Sequence, residues 1–174
     1  MQTNQEPLTF EKVWLMFQET DRQMKETDKK LNKLEYLFTS QWGKLIESLV
    51  EGDLVNLLNQ RGIKVNHTTQ RSKAFFDDRQ YEFDIIAENG TEIVVIEVKT
   101  TLRPDDVKEF IEELQLFKEI YPKYANNIIY GAVAYLTEDS GCSRLASRKG
   151  LFTIRATGNS AAITNSKNFK PKEY

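Results

Sequence analysis

The chain has 174 residues, 40% of them apolar and 29% charged, with a formal net charge of −2. That balance admits one packed core plus an appendage and excludes a disordered chain. Cys142 and His67 are the single cysteine and the single histidine, so disulfide frameworks and Cys/His zinc centres are excluded, and a bound metal would be a hard ion such as Mg²⁺ or Mn²⁺ on carboxylates. No apolar run approaches the roughly 20 residues that span a bilayer, and the polar start MQTNQEPLTF lacks the regions of a signal peptide. A cytoplasmic protein without membrane contact is expected. The slight acidity means that phosphate contacts would rest on local sets of bases, either Lys64, Arg71, Lys73 and Arg79 or Arg144, Arg148 and Lys149.

In chain order, Phe10, Phe17, Met24, Leu31, Phe38 and Leu45 recur every seven residues, with Val13 and Leu34 at the matching second position. This is the seam of a coiled coil, weakened in the middle by Thr20 and Thr27. Residues 1–40 are therefore read as an N-terminal coiled-coil helix that makes a homo-oligomer, and residues 41–174 as the domain; the alternative is an amphipathic helix folded back on its own domain. A second helix is expected through SQWGKLIESLVEGDLVNLLNQRG, with a break and fresh N-cap at Gly52-Asp53 and a stop at Gly62. Next come a strand near Ile63 to His67 and a polar loop from Arg71 to Arg79. The strands YEFDIIA and EIVVIEVKT follow, joined at Asn89-Gly90, a strong hairpin signal. Pro104, Asp105 and Asp106 open a helix whose buried stripe is Val107, Phe110, Ile111, Leu114 and Phe117. IIYGAVAYL reads as a central strand, Ser143 to Lys149 as a short helix, and LFTIRA with AAIT as a closing hairpin. The order helix, three strands, helix, strand is a mixed α/β fold.

Chemistry concentrates at Asp84, which twelve residues separate from Glu97-Val98-Lys99. With a two-residue turn at Asn89-Gly90, Glu88 faces Thr91, Asp84 faces Val95 and Glu82 faces Glu97. Asp84, Glu97 and Lys99 then share one face, the two carboxylates as diagonal neighbours with Cβ atoms ~6–8 Å apart, while Tyr81, Phe83, Ile85, Val94, Ile96 and Val98 take the other. Most charges in strands are a solvated stripe. Here the surrounding run IVVIEV has the apolar character of a strand buried on both faces, and two like charges brought together call for a cation.

This pattern, with a helix and a strand after it, resembles the PD-(D/E)XK nuclease superfamily, with Phe83 in place of the proline. Gly43 and Glu47 in WGKLIESLV are similar to the first helix of that superfamily, which supplies an additional acidic residue. The heptad helix, the strand around Glu97 and the C-terminal FKPKEY together resemble restriction-endonuclease-like proteins with N-terminal coiled coils. The resemblance implies a restriction-endonuclease-like core and a metal-dependent endonuclease that hydrolyses phosphodiester bonds of DNA. It implies Asp84 and Glu97 as ligands of Mg²⁺ or Mn²⁺, Lys99 as the group that positions water and stabilises charge, and Glu47 as a further catalytic carboxylate, either an outer ligand or a water-orienting group. Glu51 could substitute for Glu47 one turn on, Gln115 matches a place where related nucleases put a polar active-site residue, and Glu82 could line the same face. The alternative is a catalytically inactive nuclease-fold protein that serves as a coiled-coil interaction or nucleic-acid-binding module.

Overall fold

In the computed structural model, residues 10–157 and 160–174 are described; the side chains of Phe10, Glu11, Glu35, Phe38, Thr39, Trp42 and Leu45 lie outside the described residues, and with them three positions of the expected seam. The chain divides into two units, the second running from Trp42 to Tyr174. In the first, helix α1 (Phe10–Gln60) begins, and Phe17, Met24, Leu31 and Leu34 stand exposed on it. Among the described residues no helix is long and apolar enough to cross a membrane.

Within the second unit α1 continues without a break through Gly52 to Gln60, which corrects the expected interruption there. A glycine inside a helix costs only about 1 kcal/mol, whereas Val50, Leu54 and Leu58, spaced four apart, are all fully buried and contribute ~1.5–3 kcal/mol each. Asp53 caps nothing; its carboxylate instead accepts the Ala161 N–H at 2.6 Å. The helix stops where expected. Gly62 takes φ +89°, and the N–H groups of Gly62 and Ile63 close back on the carbonyls of Asn59 and Leu58, the paired bonds of a Schellman cap.

Strand β1 spans His67–Phe76 and β2 spans Arg79–Glu88, so the polar stretch from Arg71 is strand rather than loop, while Ile63 and Val65 are buried ahead of it. As an edge strand bonded on one side, β1 tolerates polar side chains. Its turn is Asp77-Asp78, both at positive φ, as a two-residue hairpin requires. Strand β3 (Glu92–Leu102) pairs antiparallel with β2; α2 (Pro104–Ile120) crosses to β4 (Ile128–Glu138), parallel to β3; α3 (Cys142–Arg148) leads to β5 (Phe152–Ala156), parallel to β4; and β6 (Ala161–Ile163) closes the six-stranded sheet in the order β1 to β6. The core element order, helix, three strands, helix, strand, is the one read from the elements along the sequence.

One apolar layer, with Val50, Leu54, Ile85, Val94 and Ile96, lies between the sheet and α1; the other, with Phe83, Ile86, Val95, Phe110 and Phe117, lies under α2 and α3. The β2–β3 register differs from the expected one. Glu88 pairs with Ile93, not Thr91, because Asn89 Oδ1 accepts the N–H groups of both Thr91 and Glu92 and widens the connection to four residues. The slip is two residues, one full side-chain period, so each residue of β3 keeps its face. The division of β2 is also different: Tyr81 and Phe83 pack on the α2 side, opposite Ile85.

Candidate active site

That division of β2 has a local origin. Gln70 pairs with Ile85 and Ser72 with Phe83, but between them the ladder skips Arg71 and Asp84, and Arg71 is left-handed at φ +50°. The pleat inverts there. Before it, Thr68 and Gln70 bond to Glu51 on α1; after it, Ser72 bonds to Tyr121, just past the end of α2. In an unbroken strand residues 70 and 72 would share a face. Pairing of β2 with β3 likewise ends at Ile85 and Ile96, and one residue further Asp84 Oδ2 accepts the Val98 N–H at 2.7 Å. A carboxylate has taken the place of a backbone acceptor, at the junction between the two faces of the sheet.

Asp84, Glu97 and Lys99 come together here. Lys99 Nζ lies 2.7 Å from Glu97 Oε1 and 4.0 Å from Asp106 Oδ1, with the Glu97 side chain 15% exposed. Burial pushes the Asp84 carboxyl up to about 7; the charges of Glu97 and Glu47 add to this, and the Val98 N–H opposes it. Burial also holds Glu97 above the ordinary carboxylate range, partly offset by Lys99. For Lys99 burial acts downward, but the neighbouring Glu97, Asp106 and Asp84 outweigh it and hold the ammonium above its ordinary value. Glu113 on α2 is raised as well, by burial, with Lys99 pulling it down. The arrangement is therefore carboxyl groups short of counter-charge around one lysine that they hold in its protonated form.

The remaining candidates separate. Glu47 is committed to Arg71, whose Nε and Nη2 donate to Glu47 Oε2 at 2.9 and 2.8 Å, and it reaches Asp84 through its field. Glu51 holds β1 to α1 through Thr68 and Gln70 and does not replace Glu47. Glu82 pairs with Lys73 at 3.4 Å on the surface. Gln115 lines a separate groove with Lys108, Leu145 and Lys149, and the α2 residues that do face the cluster are Asp106 and Glu113. Their seven-residue spacing marks one helix face, but nothing in the sequence says which face meets β3. Arg71 was visible only as one base among several.

Among the described residues no three carboxylate, imidazole or thiol groups converge into a self-sufficient metal cage. Mg²⁺ does not need one, since it keeps several waters and is bound through one or two carboxylates plus substrate phosphate. Asp84 and Glu97, neighbours on adjacent strands whose ionised forms are both disfavoured, fit that requirement.

No family model matches the chain, and no curated protein matches it. Two solved structures are similar over part of it: a repair endonuclease from Pyrococcus abyssi, 18% identical with a TM-score of 0.44, over 63% of this chain and 46% of that one, and a protein of unknown function, 15% identical with a TM-score of 0.40, over 57% of this chain and 53% of that one. The matched part thus spans about half the length of each.

Proposed function

We propose that the chain is a metal-dependent endonuclease hydrolysing phosphodiester bonds of DNA, with Asp84 and Glu97 holding Mg²⁺ or Mn²⁺ and Lys99 acting on the scissile group. One observation carries this reading: two half-buried carboxylates on adjacent strands, both with raised pKa, beside a charged lysine. When bound, such an ion polarises a phosphoryl oxygen and acidifies water. Asp84 is oriented by the Val98 N–H on Oδ2, which leaves Oδ1 without a donor among the described residues. Lys99, protonated at neutral pH, cannot accept a proton; it serves as a fixed positive charge for the negative charge that develops on phosphate oxygens. Glu47 is a positioning residue that anchors Arg71 at the inverted pleat.

The test pairs calorimetric Mn²⁺ titration with plasmid cleavage for the wild type and for Asp84→Ala, Glu97→Ala and Lys99→Ala. Loss of both metal binding and cleavage is expected for the two carboxylate variants. Lys99→Ala should lose cleavage by about 100-fold or more, on the order of an oxyanion-donor deletion, while metal binding persists or strengthens because a positive neighbour has gone. A wild type that binds no metal would sink the site assignment.

A second reading, a nuclease-fold protein without turnover that works as an interaction module, is favoured by the exposed seam of the N-terminal helix, where Phe17, Met24, Leu31 and Leu34 are between 57% and 68% exposed. Metal binding without cleavage over a range of DNA substrates would select it. Under either reading, the seam's partner is a second copy of the helix.

A further inference from the structure

The net charge of −2 conceals a segregation. From Arg144 to Tyr174 the chain carries seven Lys and Arg against Glu173 alone, a formal +6, so the preceding residues carry −8. Of the two basic sets seen in the sequence, the first is partly neutralised: Arg71 pairs with Glu47 and Lys73 with Glu82, while Arg79 borders a hollow with Glu109, Glu112 and Glu113. The second is not. Arg144 and Arg148, one turn apart on α3, are both exposed, and neither has a carboxylate partner among the described residues.

These two arginines border a groove of about 520 Å³ between α3, β5 and the segment after β6, whose other lining groups are mainly hydroxyls. The groove is held in shape from within. Asn165, 7% exposed, accepts the Thr153 N–H and donates to the Leu151 carbonyl and to Ser147 Oγ, pinning the 164–166 segment to α3 and β5. Arg61 ties the same segment to the end of α1 through the carbonyls of Asn165 and Ser166. Because Ser147 Oγ accepts from Asn165, its own proton is free to be donated outward.

We propose that this groove is a second contact surface for duplex DNA, with Arg144 and Arg148 on backbone phosphates and the Ser147 hydroxyl bonding a phosphate oxygen. The groove's preference for a polyanion stands on its charge and donors; that the polyanion is DNA rests on the nuclease reading. Unpaired guanidiniums beside the Ser147 hydroxyl suit sequence-independent contact with a phosphate backbone, whereas the lining hydroxyls of Ser143, Thr153 and Thr164 are bonded within the protein, that of Ser143 to Glu138. Glu138 is itself occupied by the N–H and hydroxyl of Ser143.

The test measures binding without cleavage: fluorescence anisotropy of a labelled duplex of about 20 base pairs in EDTA across a salt series, for wild type, Arg144→Glu/Arg148→Glu, Arg144→Gln/Arg148→Gln and, as a charge-matched control, Lys108→Glu/Lys118→Glu. The charge-reversed pair should bind at least ten-fold more weakly, and the Gln pair should lower the slope of log affinity against log salt by about 2, roughly 0.9 for each phosphate no longer neutralised. The control should stay within three-fold of wild type, and circular dichroism should report the same fold in all four. Wild type that binds no duplex, an unchanged Arg pair, or an equal loss in the control overturns the proposal. DNA binding that depends on the Arg pair, in a protein that cleaves nothing with Mg²⁺, would leave the groove standing and sink the nuclease reading alone.

Discussion

Asp84 is raised from an ordinary 3.8 to about 7, and this has a consequence for stability that runs opposite to the usual carboxylate. Between about pH 4 and 7 the folded protein keeps a proton that the unfolded chain has released, so stability falls as pH rises through that window, and the full penalty is present above it. Asparagine at this position removes the charge and still accepts the Val98 N–H. Without divalent ions, Asp84→Asn should be more stable than wild type at pH 8 by about 1–2 kcal/mol, after discounting for solvent screening, and equal to it near pH 4. Chemical denaturation at the two pH values checks this, and Mg²⁺ should stabilise wild type but not the variant. Identical pH profiles would mean that the carboxylate is not under electrostatic load. The three residues of the cluster were legible because their parity along two strands survives a register slip of two. Asp106, Glu113 and the Arg71–Glu47 pair were not, since they depend on which helix meets which face and on the pleat inversion at Arg71, whose positive φ leaves no signature in a run of polar residues.

At the scale of elements, local signals failed where tertiary burial outweighed them. Gly52-Asp53 has the look of a helix break, yet the apolar spacing on either side carries the helix through. Nothing lies within 4 Å of a Cβ built at Gly52, so Gly52→Ala should stabilise the protein by about 0.5–1 kcal/mol, read as an increased urea midpoint with an unchanged slope. A loss of stability would indicate that glycine is needed there for a bend. Gly131 is the contrary case. A Cβ on it would run into Leu114 Cδ1 and meet Leu151 Cδ2 at 2.6 Å, because α2 and the residue before β5 close over the middle of β4. Gly131→Ala should destabilise by about 1–3 kcal/mol through overpacking. The expected helix at α2 and the strands β3 and β4 were readable because capping, turn chemistry and periodicity agreed; β1 was not, because an edge strand shows no apolar alternation.

For the whole molecule, every heptad position but the last, Leu45, belongs to a different unit of the chain from the core, and a substitution can address one without the other. The seam's two polar positions are already prepared for burial: Thr20 and Thr27 each donate their hydroxyl to the carbonyl four residues back, at 2.8 Å, so each can turn a methyl group to a partner helix without leaving a donor unsatisfied. What remains is a row of apolar side chains, of which Phe17, Met24, Leu31 and Leu34 stand exposed among the described residues, and carboxylates at two points of that row should prevent helix pairing, because a seam buries charge poorly. Phe17→Asp/Leu31→Asp is therefore expected to sediment as a monomer at concentrations where wild type is an oligomer. Both positions precede Trp42, where the second unit starts, so the urea transition of the core, followed by near-ultraviolet signals of its tyrosines, should shift by less than about 0.5 kcal/mol, as for surface substitutions. An unchanged assembly state in sedimentation would remove the helix as the association element. A core destabilised by several kcal/mol would mean instead that these side chains pack on their own domain.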